Sequence, residues 1–316
     1  ISRQLTDHEE LYNSYNIAPA PSPDGTKIAM YSNRDGEMGI YILSLIDGKF
    51  LKRLIKGNKS KEFEELHILK PGISWSSDNE RVVFAAKSGD TDALFIFNIN
   101  NERKNLKKTF GMEGIFRPTW NPKNNKIAFI GNNGIQSDVY IYDLDTDELK
   151  NLTNDWFSDV QVSWHPNGQD LLIISDRGDN LEINKRYEVK FLLDHEVENL
   201  DIYQLNLSGD LTRLTNTPFN ESYASFSPNG KIISFISDES GINNIYIADE
   251  TGSYPKPITN VLTGITQLNW ISNNQIIFTG FYKSGYDIFL LSNVNRAADQ
   301  INEIPISKWR EKTKVS

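Results

Sequence analysis

The chain has no cysteine, which excludes disulfides and thiolate metal sites and leaves the compartment open. Histidine is scarce: His8, His67, His165 and His195 fall in separate linkers, one turn and one insertion. Two of them could converge in space, as in a propeller lyase that binds a metal through histidines, but neutral surface histidines are the simpler reading, and no metal and no cofactor are expected. No apolar run reaches the roughly 18 residues that a membrane-crossing helix needs, so this chain should hold no transmembrane segment. Basic residues are in deficit, 33 against 42 acidic, for a net charge of −9. Such a surface repels phosphate backbones and argues against a nucleic-acid partner. The Gly-x-Ser-x-Gly elbow of serine hydrolases is missing. The acidic run Asp143–Glu148 has Glu148 where a calcium loop needs glycine, and it reads as a turn. Ile1 stands where a Met would begin a primary product, which suits a processed chain or a piece of a longer one.

What the chain does have is a repeat of about 44 residues. A turn signal recurs as Ser22-Pro23-Asp24-Gly25, Ser76-Ser77-Asp78-Asn79, Asn121-Pro122-Lys123-Asn124, His165-Pro166-Asn167-Gly168, Ser227-Pro228-Asn229-Gly230 and Ile271-Ser272-Asn273-Asn274. Proline presets φ at the first central position, and Gly or Asn accepts the positive φ that follows. An aromatic precedes five of the turns (Trp75, Trp120, Trp164, Phe226, Trp270), with Pro21 in its place in the first. A second aromatic, at Tyr41, Phe95, Tyr140, Tyr203, Tyr246 and Phe289, follows each turn at a nearly constant distance. Only the fourth copy breaks step. It carries an insertion at about 177–199, whose centre, Arg186 to Leu193, alternates like a small hairpin. A third landmark, Leu152-Thr153-Asn154, Leu214-Thr215-Asn216 or Ile258-Thr259-Asn260, comes before a turn unit.

Each unit reads as four short strands, and no long 3.6-residue pattern recurs, so a helical solenoid is rejected. The fold class is all-β: a six-bladed β-propeller with four-stranded blades. The last copy lacks its outer strand, and Ser2-Arg3-Gln4-Leu5-Thr6-Asp7 resembles Leu211-Thr212-Arg213-Leu214-Thr215-Asn216. The N-terminal strand is therefore expected to complete blade six. The propeller is assigned to 1–295, and 296–316 reads as a short charged extension with Trp309 as its one large anchor.

The stretches Leu214-Thr215-Asn216, Phe226-Ser227-Pro228-Asn229-Gly230-Lys231, Ser237-Asp238 and Asn244-Ile245-Tyr246 resemble the TolB-like propeller repeat, also called the WD40-like PD40 repeat. The resemblance covers roughly residues 1 to 292. It implies a bacterial, extracytoplasmic (for TolB itself, periplasmic) binding scaffold, and related propellers also occur as modules of larger envelope proteins and beside peptidase domains.

The candidate site lies in the linkers that enter the inner strands. Their aromatics Tyr12, Tyr15, Phe116, Trp156, Phe157 and Tyr223 are the anchor type found in binding surfaces, several of them expected to be exposed on one face. Arg117, Asp159 and Glu221 are assigned to the same face. Replacing Trp156 and Phe157 together should then abolish partner binding without unfolding the ring. The expected function is non-enzymatic recognition of a protein or peptide at the channel face. The alternative is a carbohydrate-active propeller, a polysaccharide hydrolase or lyase. That would need carboxylates such as Glu65, Glu113, Asp159 and Glu221 to meet near the axis.

Overall fold

The computed structural model describes residues 2–10, 15–57, 64–183, 199–301, 303–308 and 310. Its local unit is the repeated turn. In the first copy the Gly25 amide donates to the Ser22 carbonyl (2.8 Å), and the Ser22 hydroxyl accepts from the Lys27 amide (2.9 Å) while donating to Asp24 (2.6 Å). Gly25, Asn79, Gly168 and Gly230 take φ of 68°, 62°, 72° and 73°, the left-handed region that Gly and Asn tolerate best.

Six antiparallel sheets follow from six such turns. Blades one, three, four and five have four consecutive strands, beginning at Asn16–Pro21, Gly114–Trp120, Asp159–Trp164 and Glu221–Phe226. In blade two the first strand is broken into Glu65–Leu66 and Ile73–Trp75, both paired with Arg81–Ser88. Blade six consists of Ile265–Ser272, Gln275–Tyr282, Gly285–Ser292 and, as its outer strand, Ser2–Gln4, with Ser2 opposite Leu291 and Gln4 opposite Phe289. The architecture and the N-terminal closure are those expected from the repeat.

Each landmark has a structural role. The second aromatic stacks on an aromatic directly across the strand pair, as in Phe84–Phe95 (5.5 Å), Phe129–Tyr140 (5.7 Å), Phe235–Tyr246 (5.9 Å) and Phe278–Phe289 (5.5 Å). The turn-side Trp reaches back to the preceding blade: Trp75 Nε1 donates to the Ala20 carbonyl (2.8 Å), Trp164 to Thr119 (3.1 Å) and Trp270 to Ser225 (3.2 Å). The Thr of the third landmark accepts from a third-strand amide, Thr153 from Val139 (3.0 Å), Thr215 from Ile202 (2.8 Å) and Thr259 from Ile245 (2.8 Å). Thr6 does the same for Ile288 (2.9 Å), which makes Leu5-Thr6-Asp7 the blade-six copy of that landmark. The core is correspondingly a ring of six apolar clusters, one between each pair of adjacent blades.

Two segments differ from their sequence reading. The insertion lies between Asp170–Ser175 and Asp201–Asn206, as expected, yet its first residues do not project. Arg177 is fully buried, the Tyr203 hydroxyl donates to the Gly178 carbonyl (2.7 Å), and Ile183 packs on the core between blades three and four. The hairpin expected at Arg186 to Leu193 lies outside the described residues. The tail is also docked, not free. Helix Val294–Gln300 buries Val294, Ala297 and Ala298, an i, i+3, i+4 pattern that the charged composition obscured. Ile304 then packs near blades four and five, the Ser307 amide donates to the Ser240 carbonyl (2.8 Å), and Arg310 pairs with Asp238 (3.0 Å). Trp309 lies outside the described residues.

Candidate functional site

The channel is set by a register irregularity common to the first strands of blades one, three, four, five and six. Three residues before each turn-side landmark stand Ala18, Gly72, Arg117, Gln161, Tyr223 and Gln267. In alternate blades this position is left-handed, with φ of 53° at Ala18, 50° at Arg117 and 52° at Tyr223. A bulge of this kind turns the amide out of the ladder. Here the amides are taken by the neighbouring blade: Gln267 Oε1 accepts from Ala18 (2.7 Å) and Gln161 Oε1 from Tyr223 (2.5 Å). One step nearer the turns, the Ser163 hydroxyl donates to the Ala224 carbonyl (2.8 Å) and Asn269 Nδ2 to the Pro19 carbonyl (2.8 Å). Residues of all six blades line a partly open cavity of about 110 Å³ between these two levels.

Arg117 dominates this throat. Its guanidinium lies 4.5 Å from the Tyr223 ring centroid, two blades away, and Nη1 donates to the Val160 carbonyl and Gln161 Oε1, each at 3.3 Å. Gly72 makes room for it, since a Cβ there would sit 2.5 Å from Arg117 Cα. Above it, the break in the first strand of blade two carries Lys70, whose Nζ lies 4.4 Å from the Phe116 ring centroid. Partial desolvation, reinforced by the Arg117 charge, lowers the Lys70 pKa. His67 approaches the same Phe116 edge-on at 5.3 Å, with Nε2 2.7 Å from Asp92 Oδ2.

At the linker face, buried polar clasps anchor the linkers. Arg177 is held between Asp155 (2.9 Å) and Asp159 (2.8 Å), all three buried. Burial raises the Asp155 pKa to about 6 despite Arg177. Glu221 accepts from the Thr217 (2.7 Å) and Thr215 (3.2 Å) hydroxyls, and burial raises its pKa to about 8. Between blades six and one, Asp287 gathers Thr6, His8 and Asn16.

The structure divides the expected site residues. Phe116, Arg117 and Tyr223 belong to the throat. Trp156 (52% exposed) and Tyr15 (46%) stand at the rim, Tyr15 beside Tyr286 with ring centroids 5.8 Å apart. Tyr12 lies outside the described residues. Phe157, expected beside Trp156 as an exposed anchor, is buried at 1% exposure under the Arg177 guanidinium, 5.4 Å from its centroid. Asp159 and Glu221 are likewise buried, because closing the blades turns them into the interfaces and not toward a ligand. Gln161, Gln267, Lys70 and Arg177 escaped the sequence reading. The first two stand in the same repeat column as Arg117 and Tyr223, so the column was the signal; the others have none.

Among the described residues one group has the spacing of three metal ligands, Asp7, His8 and Asp287. Its geometry is that of the clasp: His8 Nδ1 lies 2.6 Å from Asp287 Oδ2, and Asp287 Oδ1 accepts from Thr6, the His8 amide and Asn16. No helix among the described residues is long and apolar enough to cross a membrane.

Six four-stranded blades, with the ring locked by the N-terminal strand, define a six-bladed β-propeller, the fold also seen in solved TolB structures. No family model matches the chain. Among solved structures it is similar to a putative TolB from Agrobacterium tumefaciens (16% identity, 88% of this chain and 90% of that one, TM-score 0.64). It is also similar to TolB from Acinetobacter baumannii (16% identity, 90% of this chain, TM-score 0.56), of which it spans 64%. An oligogalacturonate lyase in complex with manganese aligns at 12% identity over 94% of both chains, with a TM-score of 0.58. At these identities the likeness is one of fold.

Proposed function

We propose that this propeller is a non-enzymatic recognition scaffold that holds a protein or peptide at its linker face, in an extracytoplasmic compartment. The observation that carries the reading is Trp156. Its neighbours Asp155 and Phe157 are buried and fixed by Arg177, while the indole between them is half exposed. A large rigid aromatic whose backbone is already ordered loses little entropy on binding, the property of an interface anchor. Tyr15 and Tyr286 supply a second aromatic element on the same face. Two of the four carboxylates that a glycosidase would bring to the axis are engaged elsewhere, Asp159 with Arg177 and Glu221 with Thr215 and Thr217. The likeness to TolB propellers favours an extracytoplasmic setting.

The test is a photo-crosslinking amino acid at position 156, against the same group at Asn229 in an inner turn on the opposite face, followed by affinity measurement with the trapped partner. Trp156→Ala should weaken that complex by about tenfold or more, roughly 1.4 kcal/mol, with an unchanged melting curve. Equal crosslinking from both faces, or normal affinity in the variant, would refute the reading.

A further inference from the structure

The throat carries a charge that the rest of the protein does not explain. The chain is acidic overall, with net charge −9, yet no residue lining the channel cavity is acidic and one, Arg117, is a cation. Among the described residues no carboxylate is paired with Arg117: Nη1 meets two neutral acceptors at 3.3 Å, and Nε is buried with no hydrogen-bond partner. Among the described residues Arg177 is matched by Asp155 and Asp159, Arg213 by Asp201 and Asp179, and Arg310 by Asp238, while the half-buried Arg34 rests on the Tyr41 and Phe50 rings. A partly buried guanidinium with a buried, unpartnered Nε and no counter-charge is costly unless something neutralises it. The fold also brings up a second cation. The first strand of blade two is the one described inner strand that is broken, and its break places Lys70 against Phe116, next in sequence to Arg117.

The geometry points to the throat as a carboxylate-binding site, with Arg117 as the primary ligand, Lys70 as a second cation at its mouth, and the Ser, Thr, Gln and Asn side chains of the lining as neutral partners. The guanidinium uses Nη1 for the protein and buries Nε, which leaves Nη2 to donate a charge-assisted hydrogen bond to a carboxylate oxygen. A partly open cavity of about 110 Å³ takes a carboxylate group but not a folded segment. The group is therefore either a small free carboxylate or one carried on the end of a chain entering the channel. The proposal goes beyond the aromatic rim and needs no partner for its test.

Succinate, with succinamide as its uncharged analogue, is titrated into the whole chain by calorimetry and by thermal shift at matched ionic strength, where a ligand that binds only the native state raises the melting temperature. Saturable succinate binding is expected, with none for succinamide. Arg117→Gln should weaken it ~10-fold or more, the loss of one charged hydrogen-bonded pair, and Lys70→Gln should weaken it less. Lys308→Gln, in the tail, should leave it unchanged. If Arg117→Gln does not fold, Lys70→Gln carries the test, because Lys70 is exposed. Competition by acetyl-tetra-alanine with a free terminus, but not by its amide, assigns the carboxylate to a chain end. No competition by either assigns it to a small free anion. Absence of saturable succinate binding, equal binding of succinamide, or unchanged affinity in both throat variants overturns the proposal. None of these outcomes bears on Trp156, so the recognition reading stands or falls separately.

Discussion

Removing the Asp287 carboxylate should unlock the ring. Asp287 is fully buried; one oxygen accepts from the Thr6 hydroxyl (2.9 Å), the His8 amide (3.0 Å) and Asn16 Nδ2 (3.0 Å), while the other lies 2.6 Å from His8 Nδ1 and 3.1 Å from Gln4 Nε2. The hydrogen bond to Asp287 raises the His8 pKa in spite of burial, so the pair is charge-assisted. Asp287→Ala leaves several buried donors unpaired, and breaking a buried pair of this kind costs about 3–5 kcal/mol. At roughly 2 °C per kcal/mol for a chain this long, the melting temperature should fall by about 6–10 °C. Asp287→Asn should cost only about 1–2 kcal/mol, the charged share of those bonds, because blade five uses Asn244 at the same repeat position, accepting from Thr259 and the Val261 amide, each at 2.9 Å. Deleting residues 1–7 should match Asp287→Ala or exceed it, since it also bares the edge of Gly285–Ser292. Combining the two should cost clearly less than their sum, because they remove the same contacts. Urea and thermal unfolding of the four proteins measure all of this. Strict additivity, or a Asp287→Ala variant that melts within about 1 °C of the parent, would refute the clasp.

Phe157→Ala should destabilise the fold by about 3–5 kcal/mol through lost core packing, while Trp156→Ala leaves unfolding unchanged; equal melting curves for the two would show that Phe157 is not buried. Burial raises the Glu221 pKa from 4.5 to about 8. Between those values the folded chain holds a proton that the unfolded chain has released, so this group lowers stability as pH rises through that window. Glu221→Gln should flatten that decline in urea titrations, and a parallel pH profile in the variant would contradict it. Gly72→Ala forces a Cβ to within 2.5 Å of Arg117 Cα and should cost about 1–3 kcal/mol. It should also displace Arg117, read as a weaker succinate response, and a neutral effect on both would mean that the throat backbone yields freely.

The blade count, the turns and the N-terminal closure were legible in the sequence because their causes are local or repeated. A Ser-Pro-Asp-Gly turn carries its own hydrogen bonds, and an aromatic at a constant distance after it reports a cross-strand pair, whatever surrounds the blade. Leu5-Thr6-Asp7 could be matched to its blade because Thr6 makes the same bond as Thr153, Thr215 and Thr259. The site was legible only in part. Trp156 and Phe157 are adjacent aromatics in a linker, where no period separates an inward from an outward side chain. What buries one and exposes the other is Arg177, which comes from the start of the blade-four insertion. Asp159 and Glu221 read like any surface carboxylates until the blades close over them. The cationic throat depends on Arg117 meeting Tyr223 across two blades and on a strand break that raises Lys70. Such contacts join residues with no fixed spacing in the chain, so sequence determined the ring and its lock, and tertiary closure alone decided which side chains face what enters it.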